Sequence, residues 1–158
     1  MRQMLRALLA LFMLAPLAAC GFTPMYATGG GNGDVYIEQI DGRGGHALRK
    51  ALMEQLAPGL PGLEGSATLS IELNERLNRL TFKPDEAASR TDAVAEAKYV
   101  LVLDGNAISG KIDAETTFNV PDAPFADIAA QTDASDRVMS LLARRIVDDL
   151  RIKLANQK

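Results

Sequence analysis

The sequence predicts an α+β fold: a two-layer sandwich with a four-stranded mixed sheet and two helices packed on one face, in the order β-α-β-β-β-α. Three observations lead there. Segments 34–41, 67–73, 97–103 and 112–120 carry the strand signals of period-two alternation or dense β-branched runs. Segments 46–57 and 125–155 instead repeat apolar residues at i and i+4, the stripe of an amphipathic helix. The first helix separates the first two strands, and such a crossover makes them parallel and right-handed.

In Asp34–Asp41, Val35 and Ile37 face one way while Tyr36, Glu38 and Ile40 face the other. Gly42-Arg43-Gly44-Gly45 reads as a turn. His46–Ala57 follows as a helix, with Leu48, Leu52 and Leu56 in line and Ala51 and Met53 widening the stripe; Pro58-Gly59 ends it. Ala67, Leu69, Ile71 and Leu73 form one face of the second strand, with Thr68, Ser70 and Glu72 on the other. This strand runs on through Leu77, Leu80 and Phe82 with a bulge where the phase slips near Asn74–Asn78. Lys83–Thr91 reads as a loop, and Ala97–Leu103 as a central strand extended by Ala107-Ile108 to a turn at Ser109-Gly110. Ile112–Val120 is the last strand. In the final helix Pro124 suits the first turn. Val138, Leu142, Ile146, Leu150 and Leu154 form the stripe, with Leu141 and Val147 beside it.

Composition narrows the function. The 158 residues fit one domain. With 17 Lys+Arg against 20 Asp+Glu, the formal charge of −3 argues against general nucleic-acid binding, which needs a basic footprint. A single cysteine, Cys20, excludes an intramolecular disulfide and a cysteine-cluster metal site. A single histidine, His46, leaves no pair for a zinc enzyme. No metal or cofactor is expected.

The N-terminus reads as a targeting segment. Arg2 and Arg6 precede an apolar run from Ala7 to Ala19. As a helix that run reaches about 20 Å at 1.5 Å per residue, well short of the roughly 30 Å hydrocarbon core. It is therefore a signal peptide, residues 1–19, and not a span. Leu17-Ala18-Ala19-Cys20 matches the lipobox of bacterial lipoproteins, in which the cysteine thiol takes the lipid. Cys20 is the expected lipidation site, and Gly21 after it favours the outer membrane. Without Arg2 and Arg6, 15 basic and 20 acidic residues leave −5, so anchoring falls to the acyl chains. Residues 20–33 then form a lipidated tether and linker, and 34–158 the single folded domain. The glycines of Ala27–Gly33 lack the spacing of a phosphate loop.

No catalytic set emerges. His46 lacks a nucleophile in a recognisable motif, since no GxSxG elbow supplies one. Asp133 with Asp136, and Asp148 with Asp149, read as a solvated face among Arg144, Arg145, Arg151 and Lys153, with Asp149–Lys153 a favourable i,i+4 pair. The candidate binding residues are Arg76, Arg79, Lys83 and Arg90, clustered around the end of the second strand and interleaved with Leu77, Leu80 and Phe82. Cations beside exposed apolar groups suit an amphiphile that carries phosphates, such as lipopolysaccharide.

The segment Leu17–Tyr26 (LAACGFTPMY) resembles the start of the lipopolysaccharide-assembly lipoproteins of the LptE family, alphaproteobacterial type, with Met25 in place of the usual leucine. Arg43-Gly44 with Leu48-Arg49 and Leu52, then Glu96–Leu101, then Phe125-Ala126 with Asp133-Ala134, Arg137, Leu142-Ala143 and Ile146, resemble further family segments in the right order. Gly45-His46 departs from the more usual polar pair. The resemblance implies a non-enzymatic outer-membrane lipoprotein on the periplasmic side, anchored by lipid at Cys20. It would plug and assist assembly of an LptD-like β-barrel and take part in delivering lipopolysaccharide to the outer leaflet. Two alternatives stand beside it: a generic outer-membrane lipoprotein with a structural or envelope-stress role, and a lipid-anchored hydrolase using His46 as its base.

Overall fold

The chain divides into two units, Met1–Gly30 and Gly31–Lys158. The computed structural model describes residues 33–82 and 88–156, all in the second unit. The expected signal peptide, Cys20 and nearly all of the tether lie outside the described residues, as does Lys83.

The elements are β1 (Asp34–Ile37), α1 (Gly42–Leu56), β2 (Ser66–Phe82), β3 (Ala88–Leu103), β4 (Asn106–Asn119) and α2 (Pro124–Ala155). The sheet order is β1-β2-β3-β4. β1 pairs parallel with β2, and the other pairs are antiparallel. This is the expected mixed sheet and the expected chain order.

Both helices cover one face. Ala67 and Leu69 of β2, Ala93 through Leu101 at alternate positions of β3, and Ile108, Ala114 and Phe118 of β4 are buried beneath them. The α2 stripe of Val138, Leu142, Ile146, Leu150 and Leu154 is buried as the periodicity requires, and so are Leu48, Leu52 and Leu56 of α1. Small residues at Ala93, Ala95 and Ala97, each fully buried, leave room for the α2 side chains above them.

Five features differ from the sequence reading. The glycines placed in a turn form the first turn of α1 instead. A β-carbon at Gly45 would lie 2.6 Å from the Ile40 carbonyl oxygen, and one at Gly44 would lie 2.5 Å from a Glu75 carboxylate oxygen. Close approach, not a chain reversal, accounts for Gly44 and Gly45, while Gly42 sits at φ 82° with open space around it. The β3–β4 turn falls at Asp104-Gly105, both at positive φ (47° and 82°), as a two-residue type I′ hairpin needs. Ala107 and Ile108 therefore open β4, and Ser109-Gly110 lies inside the strand. The β2 irregularity sits between Arg79 and Phe82, later than the pattern suggested. Residues 88–96, read as loop or left unassigned, belong to β3, because the long β2 supplies a partner at every position from Ala67 to Arg79. β1 is also shorter than the alternation implied, ending at Ile37.

Candidate functional site

The hairpin of β2 and β3 carries the predicted cluster. Arg76 lies opposite Val94, Arg79 opposite Thr91, and Arg90 between Thr81 of β2 and Asn119 of β4. Alternation assigns them to faces. Arg76 and Arg90 share the sheet face away from the helices with Glu72, Lys98 and Val100. Arg79 shares the helix side with Thr91, which is buried. All three arginines are exposed. The cluster is thus gathered at one end of the sheet but split across its two faces.

Apolar side chains surround this end. Leu77 (45% exposed) and Leu80 (51%) lie on the hairpin itself. α2 runs antiparallel to β4: Lys153 bonds the Ser109 carbonyl, Arg145 the Asp113 carbonyl, and Ser135 the Glu75 carboxylate. Continuing that path carries Phe125 (88% exposed) and Ile128 (62%) to the hairpin end. Sequence periodicity could not flag these two, because they extend the helical stripe and look like core. On the open sheet face, Asp92 is buried and accepts a 2.6 Å bond from Thr117 Oγ1, one row from Arg90.

Farther along the open face, opposite charges pair across strands. Lys111 bonds Glu96 at 2.9 Å and Lys98 bonds Glu72 at 3.4 Å. The Lys111 ammonium holds the Glu96 carboxyl below the ordinary carboxylate range, with the charges of Arg76 and Lys98 adding to it. Such exposed pairs contribute little stability; their effect here is to fix side-chain positions on a face that nothing covers among the described residues.

The other end holds a polar cluster that the sequence reading missed in part. The Asp149–Lys153 pair forms as expected, at 2.8 Å. It closes on Tyr99, which is 1% exposed; its hydroxyl donates to Asp149 Oδ2 and accepts from Lys153 at 3.1 Å. Burial, reinforced by the Asp149 bond, pushes the Tyr99 phenol up to about 12. Burial opposes ionisation of Asp149, but its bonds from Lys153 and Tyr99 prevail and hold it below the ordinary range. The Asp149 bond raises Lys153. A β-carbon at Gly110 would come within 2.6 Å of the Tyr99 ring and of Lys153 Nζ, which explains a glycine inside β4. This cluster ties α2 to the sheet.

His46 is exposed on the wall of an open groove of about 390 Å³ between α1 and α2. Ser140 lines the same groove, but its hydroxyl donates back to the Asp136 carbonyl at 2.9 Å. Asp133 pairs with Arg137 and Asp136 with Arg43. Among the described residues no group of acidic, histidine or cysteine side chains is placed to hold a metal, and no helix is long and apolar enough to cross a membrane.

A four-stranded sheet with two helices on one face is the fold that solved lipoprotein structures share with this chain. No family model and no curated protein matches it. A crystal structure described as a candidate lipoprotein from Caulobacter crescentus CB15 matches at 30% identity and TM-score 0.63, covering 77% of this chain and 90% of that one. The rare lipoprotein B of Shewanella oneidensis (12% identity, TM-score 0.58, 78% and 96% coverage) and a minor lipoprotein of Acinetobacter baumannii (15%, 0.57, 78% and 94%) share the fold. The chain belongs to the family of the Caulobacter protein, a family of bacterial lipoproteins.

Proposed function

We propose that this protein is an LptE-type lipoprotein of the outer membrane. Held by lipid at Cys20 on the periplasmic side, it plugs and assists assembly of an LptD-like β-barrel and takes part in delivering lipopolysaccharide to the outer leaflet. The observation that carries this reading is the hairpin end: Arg76, Arg79 and Arg90 beside exposed Leu77, Leu80, Phe125 and Ile128 on an acidic protein. Phosphates of an amphiphile pair with guanidinium groups, and its acyl chains cover the apolar side chains. The open sheet face, polar and charged over much of its length, suits the polar interior of a barrel. The role calls for no chemistry, and no catalytic residue is assigned.

The test is a pull-down of C-terminally tagged protein from outer membranes in mild detergent. The expected result is one large, heat-modifiable β-barrel at about equal stoichiometry. A protein that is extracted alone and stays stable alone favours a generic envelope lipoprotein instead. Lipopolysaccharide binding is tested separately with Arg76→Glu, Arg79→Glu and Arg90→Glu combined. Binding equal to that of the parent removes the hairpin from the proposal.

A further inference from the structure

On both outer strands, helix cations hold backbone carbonyls. Arg145 bonds the Asp113 carbonyl and Lys153 the Ser109 carbonyl on β4, and Arg49 bonds the Ile37 carbonyl on β1. Carbonyls held in this way are closed to an incoming strand, a recognised defence of sheet edges. The broad surface left bare is the open face, and strand pairing arranges it in rows. Tyr36, Thr68, Val102 and Ala107 form one row, and Ser70, Val100 and Ser109 the next. Neither row holds an acidic or basic side chain. The row beyond is Glu72, Lys98 and Lys111, and each row after it toward the hairpin carries at least one charged residue. In the two uncharged rows Tyr36 is 66% exposed, Val102 43% and Val100 36%. The rim around them is charged. On one side Lys98 and Lys111 are paired with Glu72 and Glu96. On the other, Asp34 and Glu38 stand exposed at the two ends of β1. An uncharged centre with a charged rim is the composition of a protein–protein contact. An anionic membrane suits it less, because Asp34 and Glu38 repel it and the nearest lysines are already paired.

We propose that this uncharged end of the open face is where the inner wall of the barrel docks. The wall meets it through small uncharged side chains, bordered by a basic residue that faces Asp34 and Glu38. The inference rests on the reading of this protein as a barrel plug and adds which part of it the barrel holds. The interior of such a barrel is polar. Its hydroxyl and amide groups can lie against Thr68, Ser70 and Ser109 with no charge taken out of water. The Ser70 hydroxyl already donates to the Val100 carbonyl, so covering it strands no donor. Arg76 lies eight residues beyond Thr68 along β2, a distance of about 26 Å at 3.3 Å per residue. Docking at the uncharged rows therefore leaves the cationic hairpin free. One sheet carries two separate surfaces, an uncharged one for the barrel and a cationic one for the amphiphile.

The full chain, tagged and produced in its own envelope, carries the test. Val102→Glu sets a charge in the first row and should lower the barrel recovered with the tagged protein at least tenfold. Val102→Thr, which keeps the branched side chain and adds no charge, should recover as much as the parent. Because Val102 is exposed, the melting curve of Val102→Glu by circular dichroism should match that of the parent. Photo-crosslinking with p-benzoylphenylalanine in place of Val102 gives a second reading that does not depend on charge. Irradiation should produce an adduct of the chain with the barrel. Lipopolysaccharide binding by Val102→Glu should equal that of the parent. A parent that recovers no barrel overturns the plug reading and this inference with it. A parent that recovers the barrel, with Val102→Glu recovering as much, overturns the docking surface alone. So does an adduct absent at position 102, or formed there with lipid or with a protein of another mass. A tenfold loss of lipopolysaccharide binding by Val102→Glu would overturn the separation of the two surfaces.

Discussion

At the end of the sheet nearest the C-terminus of α2, Tyr99, Leu101 and Leu150 are buried to 1% or less, and Asp149 and Lys153 satisfy the Tyr99 hydroxyl. At the hairpin end, four large apolar side chains stay 45–88% exposed beside three arginines. The contrast follows from reach. β2 and β3 run past the end of β4, since Arg90 of β3 already meets Asn119, the last residue of β4. The helices close over one end with side chains to spare, while the other projects apolar groups that no element of this chain covers among the described residues. Stability belongs to the first region, and the recognition proposed above to the second.

The comparison breaks if core and hairpin substitutions cost the same. Leu142→Ala and Leu101→Ala, both fully buried, should each destabilise the fold by about 2–5 kcal/mol. Leu77→Ala and Phe125→Ala should each stay within about 0.5 kcal/mol. Denaturant titration followed by circular dichroism checks both, and a large loss at Phe125 would mean that the hairpin end is packed.

Gly110→Ala probes how tightly the closed end is filled. The added methyl should cost about 1–3 kcal/mol by overpacking against Tyr99 and Lys153. Tyr99→Phe should cost about 1–2 kcal/mol through lost hydrogen bonds. A neutral Gly110→Ala in the same unfolding assay would show that the ring and ammonium can move aside.

The smallest expected effect is a pH dependence confined to the closed end. Tyr99 and Lys153 are raised, so their contribution is complete below their unfolded-state values near 10 and falls as pH climbs toward 12. Asp149 is lowered, so its contribution is present above the unfolded carboxylate value and is lost as pH falls through the folded one. The tyrosinate absorbance of the parent should contain a step near 12 that Tyr99→Phe removes. A parent lacking that step would detach Tyr99 from Asp149.

Much of the architecture was legible from periodicity. The i+4 stripe of α2 needs no partner to be recognised, and the crossover geometry made β1 and β2 parallel. The reading failed where a glycine could mean either a turn or a close contact. Gly44 and Gly110 are glycines because Glu75 and Tyr99 approach them from distant parts of the chain, and Gly45 because the Ile40 carbonyl folds back against it. Asp104-Gly105 is the stronger hairpin signal, since both residues adopt the positive φ of a two-residue turn, and the chain turns there and not at Ser109-Gly110. Of the proposed binding residues, Arg76, Arg79 and Arg90 come to one end of the sheet, but Phe125 and Ile128 join them only through the direction of α2.

By itself the sequence determined the alternation of strands, the apolar faces of both helices and the cationic bias of the hairpin, because each is a local pattern of side chains with the period of its own backbone. The tertiary structure decided which of those apolar faces are covered and which edges are guarded. Burial depends on how far one element reaches over another, and a carbonyl is capped or left open according to which distant helix residue arrives beside it.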